Sequence, residues 1–315
     1  MKILFYGTGD ISGRVLKRLF GSGRHEIEVV TSCDKARGRG MEVKACEVKG
    51  LSDFLGLKTY QPEKIKDEGF YKTLKGKGYE LGVVVAYGRI LSQELIELPL
   101  KGTINLHFSL LPKYRGAAPY SWALINGEKV AGVTVMYVKK ELDEGDIILQ
   151  KQIKVESADD AGSLLEKMVI EGGELLVKAV DEIEAGKAKR KEQNKKEATY
   201  FGKLPEGIGN IDWEKSAVEI HNLVRGLSPF IGAYSVLNGK LIKILKSEPR
   251  VSQEDGAAGE ILGVEKGKGL IVKTGKGMLL VKTVKPEGKK EMDFEAYARG
   301  NKITSGLRFE REKRK

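Results

Sequence analysis

The chain has 315 residues, 41% of them hydrophobic and 31% charged, with a formal net charge of +11 and two cysteines. That length allows two domains with separate cores, and the composition is that of a globular protein rather than a disordered one. No apolar run approaches the roughly 20 residues a bilayer-spanning helix needs, and MKILFYGTGD at the start lacks the apolar core and cleavage site of a secretory signal, so a cytoplasmic protein is expected. Cys33 and Cys46 have neither CxxC spacing nor a nearby histidine, which argues for reduced thiols and against a metal site. The positive excess, most of it beyond residue 200, suits an anionic partner such as nucleic acid, or else a Lys- and Glu-rich surface.

In chain order, Lys2 to Tyr6 (KILFY) reads as a buried strand, followed by GTGDISG and a helical run from Arg14 to Phe20. The glycines Gly7, Gly9 and Gly13 are spaced GxGxxxG, which only approximates a dinucleotide fingerprint; a tight strand-to-helix turn explains them without NAD. Glu26 to Val30 is a second strand, and TSCDKARGRGMEVK after it is a loop whose Lys35, Arg37, Arg39 and Lys44 suit phosphate contacts or simply a solvated surface. Val43 to Leu55 is expected to be helical, Lys58 to Tyr60 a short strand, and Lys64 to Leu74 a helix. Leu81 to Ala86 (LGVVVA) is the nearly continuous apolar run of a central parallel strand. Repeated strand–helix alternation implies a doubly wound, mostly parallel Rossmann-like α/β sheet.

The next strand, GTINL, leads into Asn105-Leu106-His107, where period-2 alternation points Asn105 and His107 to one side. SLLPKYRG bends the chain away and leaves that strand end open, where ligands usually sit in α/β sheets. Ala118 to Ile125 reads as a helix, Gly132 to Val138 as a strand, KKELDEGD as a charged loop carrying Asp143, and Ile147 to Val155 as a strand. A helix starting after Ser157 runs to about Glu184, with Gly172-Gly173 as a place to bend. Residues 186 to 198 lose nearly all apolar content and read as a linker. Beyond it come a helix from Ser216 to Leu227, on which His221 is read as a packing or surface residue, and five short alternating runs with glycine turns. These suggest a small OB-like β-barrel, with Lys273, Lys276, Lys282, Lys285, Lys289 and Lys290 giving it a basic side.

Asn105, His107 and Asp143 form one candidate site. A carboxylate beside an imidazole favours and orients the protonated ring, and an Asn amide donates to a negative oxygen, which suits a tetrahedral acyl-type intermediate. Ser109 lacks a GxSxG elbow, so direct transfer between two bound substrates fits better than a serine hydrolase. On chemistry alone, a polar cluster without catalytic role remains open.

Asn-x-His, the SLLPKYRGAAP segment and the later LDEGD resemble the 10-formyltetrahydrofolate-dependent formyltransferases. The resemblance covers essentially the whole chain, including ATYFGKLPEGIGNIDW at the junction and GKKEMDFEAYARGNKITSGLRF near the C-terminus. It implies a formyltransferase domain over 1–189, a linker over 190–206 and an OB-like tRNA-binding domain over 207–315. Asn105, His107 and Asp143 match the family's catalytic trio. Tyr87, Gly88, Arg89, Ile90 and Leu91, with Ser109, Leu110, Leu111 and Pro112 and with Val138, Lys139, Lys140, Glu141 and Leu142, match segments that hold the folate. Arg39 in ARGRG, with Lys35, Arg37 and Lys44, matches the loop that engages the tRNA acceptor end. The implied reaction moves a formyl group from 10-formyltetrahydrofolate to the α-amine of methionyl initiator tRNA for translation initiation, by a monomer using neither metal nor NAD. Two alternatives are a sugar-nucleotide formyltransferase and a noncatalytic RNA-binding protein. The chain has GTGDI where members acting on tRNA show Gly-Thr-Pro, an acidic residue and Phe.

Overall fold

A computed structural model describes residues 1–37, 42–251 and 255–312. The first part of the chain alternates: β1 (Lys2–Gly7), α1 (Gly9–Phe20), β2 (Glu26–Val30), β3 (Lys35–Arg37), β4 (Glu42–Lys44), α2 (Glu47–Phe54), β5 (Thr59–Tyr60), α3 (Glu68–Leu74), β6 (Leu81–Val85), α4 (Gln93–Glu97), β7 (Thr103–His107), β8 (Arg115–Gly116), α5 (Pro119–Ile125), β9 (Val130–Tyr137), β10 (Ile147–Lys154) and α6 (Ala161–Glu184). After a 3-10 turn at Lys195–Glu197 come β11 (Tyr200–Phe201), α7 (Ala217–Leu227), β12 (Ala233–Leu237), β13 (Lys240–Arg250), β14 (Ile261–Glu265), β15 (Gly269–Lys273), β16 (Met278–Pro286), β17 (Met292–Asp293) and α8 (Phe294–Arg299). The chain forms two compact units. One comprises Met1–Gly116, Ala131–Lys154 and Glu166–Tyr200; the other comprises Ala117–Val130, Val155–Leu165 and the chain from Phe201 onward.

In the first unit a seven-stranded sheet runs in the order β10-β9-β7-β6-β1-β2-β5. The pairs β1–β2, β1–β6, β2–β5 and β6–β7 are parallel, and β9 lies antiparallel to β7, so the expected mostly parallel sheet with helices is observed. Ile3, Leu4, Phe5 and Tyr6 are all fully buried, as a strand covered on both faces requires. α1 begins at Gly9, five residues before the apolar periodicity does. Its first turn is tied instead by Ser12, whose Oγ accepts from the Thr8 N–H at 3.0 Å and donates to the Val85 carbonyl at 2.6 Å. A Cβ on Gly7 would come within 2.7 Å of the Ser12 Cβ, so that glycine serves close strand–helix packing. Gly9 sits at φ +81°, a conformation closed to proline.

Several sequence expectations change. The helix expected from Lys64 starts only at Glu68, capped by the Asp67 side chain. Val43 lies in β4 and pairs with Ala36 of β3, so the helix expected from that residue starts only at Glu47. α6 is continuous through Gly172-Gly173; a Cβ on Gly172 would meet the Leu106 side chain at 3.1 Å, so this glycine lets the helix pack closely on β7.

The second unit is built on a six-stranded antiparallel sheet, β12-β13-β16-β15-β14 with β17 on β16. Its core gathers Ile220, Val224 and Leu227 of α7 with alternate residues of the strands, and Trp213 stacked on Phe309 at 5.3 Å. α7 starts with a full capping box, Ser216 accepting from the Glu219 N–H while the Glu219 carboxylate accepts from the Ser216 N–H. The sheet path is open. Single bridges join the C-terminal segment to both of its ends, Glu310 to Val236 of β12 and Arg308 to Glu260 beside β14.

Candidate active site

β7 delivers Asn105 and His107 at the carboxyl end of the first unit's sheet. The next residues cannot continue the strand: Leu111-Pro112 is a cis peptide and Tyr114 takes φ +60°. That turn carries the Tyr114 carbonyl back to His107, whose Nε2–H donates to it at 3.0 Å. The imidazole is 6% exposed, and with Nε2 committed to the backbone its Nδ1 faces the Asp143 carboxylate at 3.8 Å. That separation is too long for a direct hydrogen bond. The Asp143 Oδ2 accepts instead from the Gly116 N–H at 2.8 Å. Among the described residues the Asn105 amide makes no hydrogen bond to the protein, and it lines a cavity of about 200 Å³ together with Asp143.

The same cavity is walled by Arg89, Ile90 and Leu91 after β6 and by Val138, Lys139, Lys140, Glu141 and Leu142 after β9, with Val84, Ile96 and Met136 beneath. Its rim exposes Ile90 and Leu142, at 69% and 61%. The other folate-segment residues lie elsewhere. Tyr87 is buried edge-on against Tyr6, ring centroids 5.8 Å apart, and burial pushes its phenol up to about 12. Gly88 supplies the φ +77° turn that releases the chain from β6. Leu111 packs with Met136 and Ile147, the Ser109 Oγ donates to the Lys113 carbonyl, and a Cβ on Gly132 would clash with Leu110. The Arg89 guanidinium is turned onto the Pro62 and Glu63 carbonyls.

Left-handed backbone is concentrated here: Ala86, Tyr114, Ala118 and Asp143 are non-glycine residues at φ +43° to +60°. Each costs of order 1 kcal/mol and persists only where surrounding contacts over-determine it. Of the basic loop, Arg39 lies outside the described residues, as do the side chains of Lys35, Arg37 and Lys44; their backbones form the β3–β4 hairpin.

A larger cavity of about 380 Å³ lies in the second unit, but its charges are largely matched within the protein, Lys282 with Glu248 and Arg250 with Glu265. Among the described residues one trio, His25, Asp181 and Glu184, places potential metal ligands within 4.8 Å of one another. The Met1 ammonium lies 3.1 Å from Glu184 and Arg24 pairs Asp181 at 2.9 Å, so those charges are also matched.

Comparison with known proteins bears on the whole chain. Residues 1–180 match the formyl transferase family and residues 203–302 match the formyl transferase C-terminal domain. The methionyl-tRNA formyltransferase of Thermodesulfovibrio yellowstonii is 44% identical over 97% of both chains. The chain belongs to the methionyl-tRNA formyltransferase family. A second member, from Caldanaerobacter subterraneus subsp. tengcongensis, is 42% identical over 97% of this chain and 99% of its own. Two solved structures share the fold at lower identity. HypX from Aquifex aeolicus, in complex with tetrahydrofolic acid, is 18% identical with a TM-score of 0.64 over 95% of this chain and 47% of its own. An N-formyltransferase from Helicobacter canadensis, with folinic acid and dTDP-3-aminofucose, is 19% identical with a TM-score of 0.66 over 93% of this chain and all of its own.

Three residues that reasoning from sequence missed surround this family's Asn-x-His segment. Tyr114 orients His107 through a carbonyl, a role its side chain does not advertise. Arg115 and Gln193 are buried at 1% and 5% exposure and hydrogen-bond each other behind the Asp143 loop. A lone Gln within KEQNKK carries no sequence signal for burial, and Arg115 sits inside SLLPKYRG, whose signal is a chain turn.

Proposed function

We propose that the chain transfers a formyl group from 10-formyltetrahydrofolate to the α-amine of methionyl initiator tRNA, acting as a cytoplasmic monomer in translation initiation. The observation that carries this reading is the cavity lined by Asn105 and Asp143, with His107 Nδ1 3.8 Å from the Asp143 carboxylate, in a chain 44% identical to a methionyl-tRNA formyltransferase. The pterin lies against the 89–91 and 138–142 walls, with the formyl carbon presented to Asn105. The neutral amine attacks that carbon, the carbonyl oxygen becomes an oxyanion, and the Asn105 amide and the Nδ1–H of protonated His107 donate to it. Because His107 Nε2 is held by the Tyr114 carbonyl, Nδ1 is the nitrogen left for the reacting oxygen. Collapse breaks the bond from carbon to N10. N10 gains a proton as the amine loses one, with the Asp143 carboxylate as relay.

Residues 1–189 carry the reacting side chains, 190–206 connect and brace the Asp143 loop, and 207–315 form the tRNA-binding domain. The antiparallel sheet there, its two ends both bridged to residues 308–310, works as an OB-like barrel; its lysines and the loop around Arg39 meet the tRNA phosphates. The test is incubation with 10-formyltetrahydrofolate and either methionyl initiator tRNA or an amino-sugar nucleotide. Formylation of the tRNA alone is expected, and formylation of the sugar alone would replace this reading.

A further inference from the structure

Asp143 stands at φ +56°, a conformation unfavourable for an L-residue, and residues 143–145 therefore need external fixing. Gln193 supplies it. Its Nε2 donates one hydrogen to the Asp143 carbonyl and the other to the Gly145 carbonyl, each at 2.8 Å. Its Oε1 accepts from Arg115 Nε at 3.1 Å and from Arg115 Nη2 at 2.7 Å. Every donor and acceptor of the amide is used, and its orientation is fixed because a guanidinium only donates and a carbonyl only accepts. The third guanidinium nitrogen, Arg115 Nη1, donates to the carboxylate of Glu144, the residue between the two clamped carbonyls, at 2.8 Å and also reaches the Tyr200 hydroxyl. Tyr200 in turn donates to Glu144, and that hydrogen bond, with Arg115 nearby, holds the Glu144 carboxyl below its usual range. The Arg115 guanidinium carbon lies 5.1 Å over the Tyr200 ring.

We infer that Gln193, braced by Arg115, is a positioning residue for the formyl-transfer reaction: it holds the Asp143 backbone so that the carboxylate stays opposite His107 Nδ1. This rests on the role given to Asp143 above. The clamp acts on the backbone while Gly116 N–H fixes the side chain, so losing Gln193 frees the whole loop to relax from its left-handed turn and carry the carboxylate away. A displacement of about 1 Å at a reacting group costs on the order of 100-fold in rate.

Gln193→Glu is the discriminating change, because it keeps an acceptor for Arg115, now as an ion pair, but removes both donors to the loop. In the full chain, kcat with 10-formyltetrahydrofolate and methionyl-tRNA is expected to fall about 10- to 100-fold, with the folate KM changed by less than about threefold and the chain still folded at the assay temperature. Gln193→Met, of similar length with no amide, is expected to lose kcat to a similar extent. In an Asp143→Asn background the same Gln193→Glu change is expected to cost less than about threefold, since the group it positions is gone. Equal losses in both backgrounds, or wild-type kcat in Gln193→Glu, would overturn the clamp alone. Wild-type turnover by Asp143→Asn would overturn the role of Asp143 and the clamp with it.

Discussion

Gly145→Ala places one methyl group where the Asp143 loop passes β9. The added Cβ would lie 1.5 Å from the Tyr137 carbonyl oxygen, and real Cβ atoms essentially never approach within 3.0 Å, so loop and strand must part by roughly 1.5 Å. The strand cannot give easily: the Tyr137 N–H is held by the Asp146 carbonyl at 2.9 Å, and β9 is paired with β7 through Tyr137 itself. The loop moves instead, and it carries Asp143, two residues away, while pulling the Gly145 carbonyl off Gln193. A shift of about 1 Å at the carboxylate corresponds to about 100-fold in rate, or about 2.7 kcal/mol of barrier, and the broken hydrogen bonds cost about as much again in stability. Single-turnover formyl transfer at saturating folate measures the first quantity, and urea unfolding the second. Wild-type single-turnover rates in Gly145→Ala would refute the claim that this loop must hold its position for the reaction.

Burial pushes the His221 imidazole down from 6.5 to about 4, with Arg225 adding to the effect. Between pH 6.5 and 4 the unfolded chain binds more protons than the folded one, so stability falls as pH drops through that window; about 1–2 kcal/mol is at stake after allowing for partial exposure. Urea unfolding of His221→Asn should show a shallower loss over this range, and an unchanged slope would contradict the assignment. Phe309→Ala removes a ring stacked on Trp213 in the second unit's core and is expected to cost about 3–5 kcal/mol in urea unfolding; a cost below about 1 kcal/mol would mean the C-terminal segment is not part of that core. With a net charge of +11, the KM for tRNA should climb steeply with salt while the folate KM stays flat, and a salt-independent tRNA KM would argue against phosphate contacts.

The elements that sequence located best are those whose signal is local. Apolar runs mark β1, β2 and β6 because both faces of a parallel strand are buried, and alternation alone puts Asn105 and His107 on one side of β7. Errors arise where the deciding contact is distant in sequence. Val43 joins β4 because Ala36 pairs with it, and α1 begins early because Ser12 is bonded to the end of β6. At the site, nothing in the 35 residues between His107 and Asp143 says they meet; that requires β9 to lie beside β7. Gln193 was still harder to read, since a polar residue in a Lys- and Glu-rich stretch looks solvated until Arg115 and two loop carbonyls are found around it.

A single-turnover assay of Asp143→Asn and the unaltered chain, with 10-formyltetrahydrofolate and methionyl initiator tRNA both saturating, decides whether Asn105, His107 and Asp143 move a formyl group onto the tRNA amine. Formyl-methionyl-tRNA is expected from the unaltered chain and a rate lower by orders of magnitude from the variant, with folate binding and melting temperature preserved. Equal rates from the two proteins, or no formylated tRNA from either, would contradict that role.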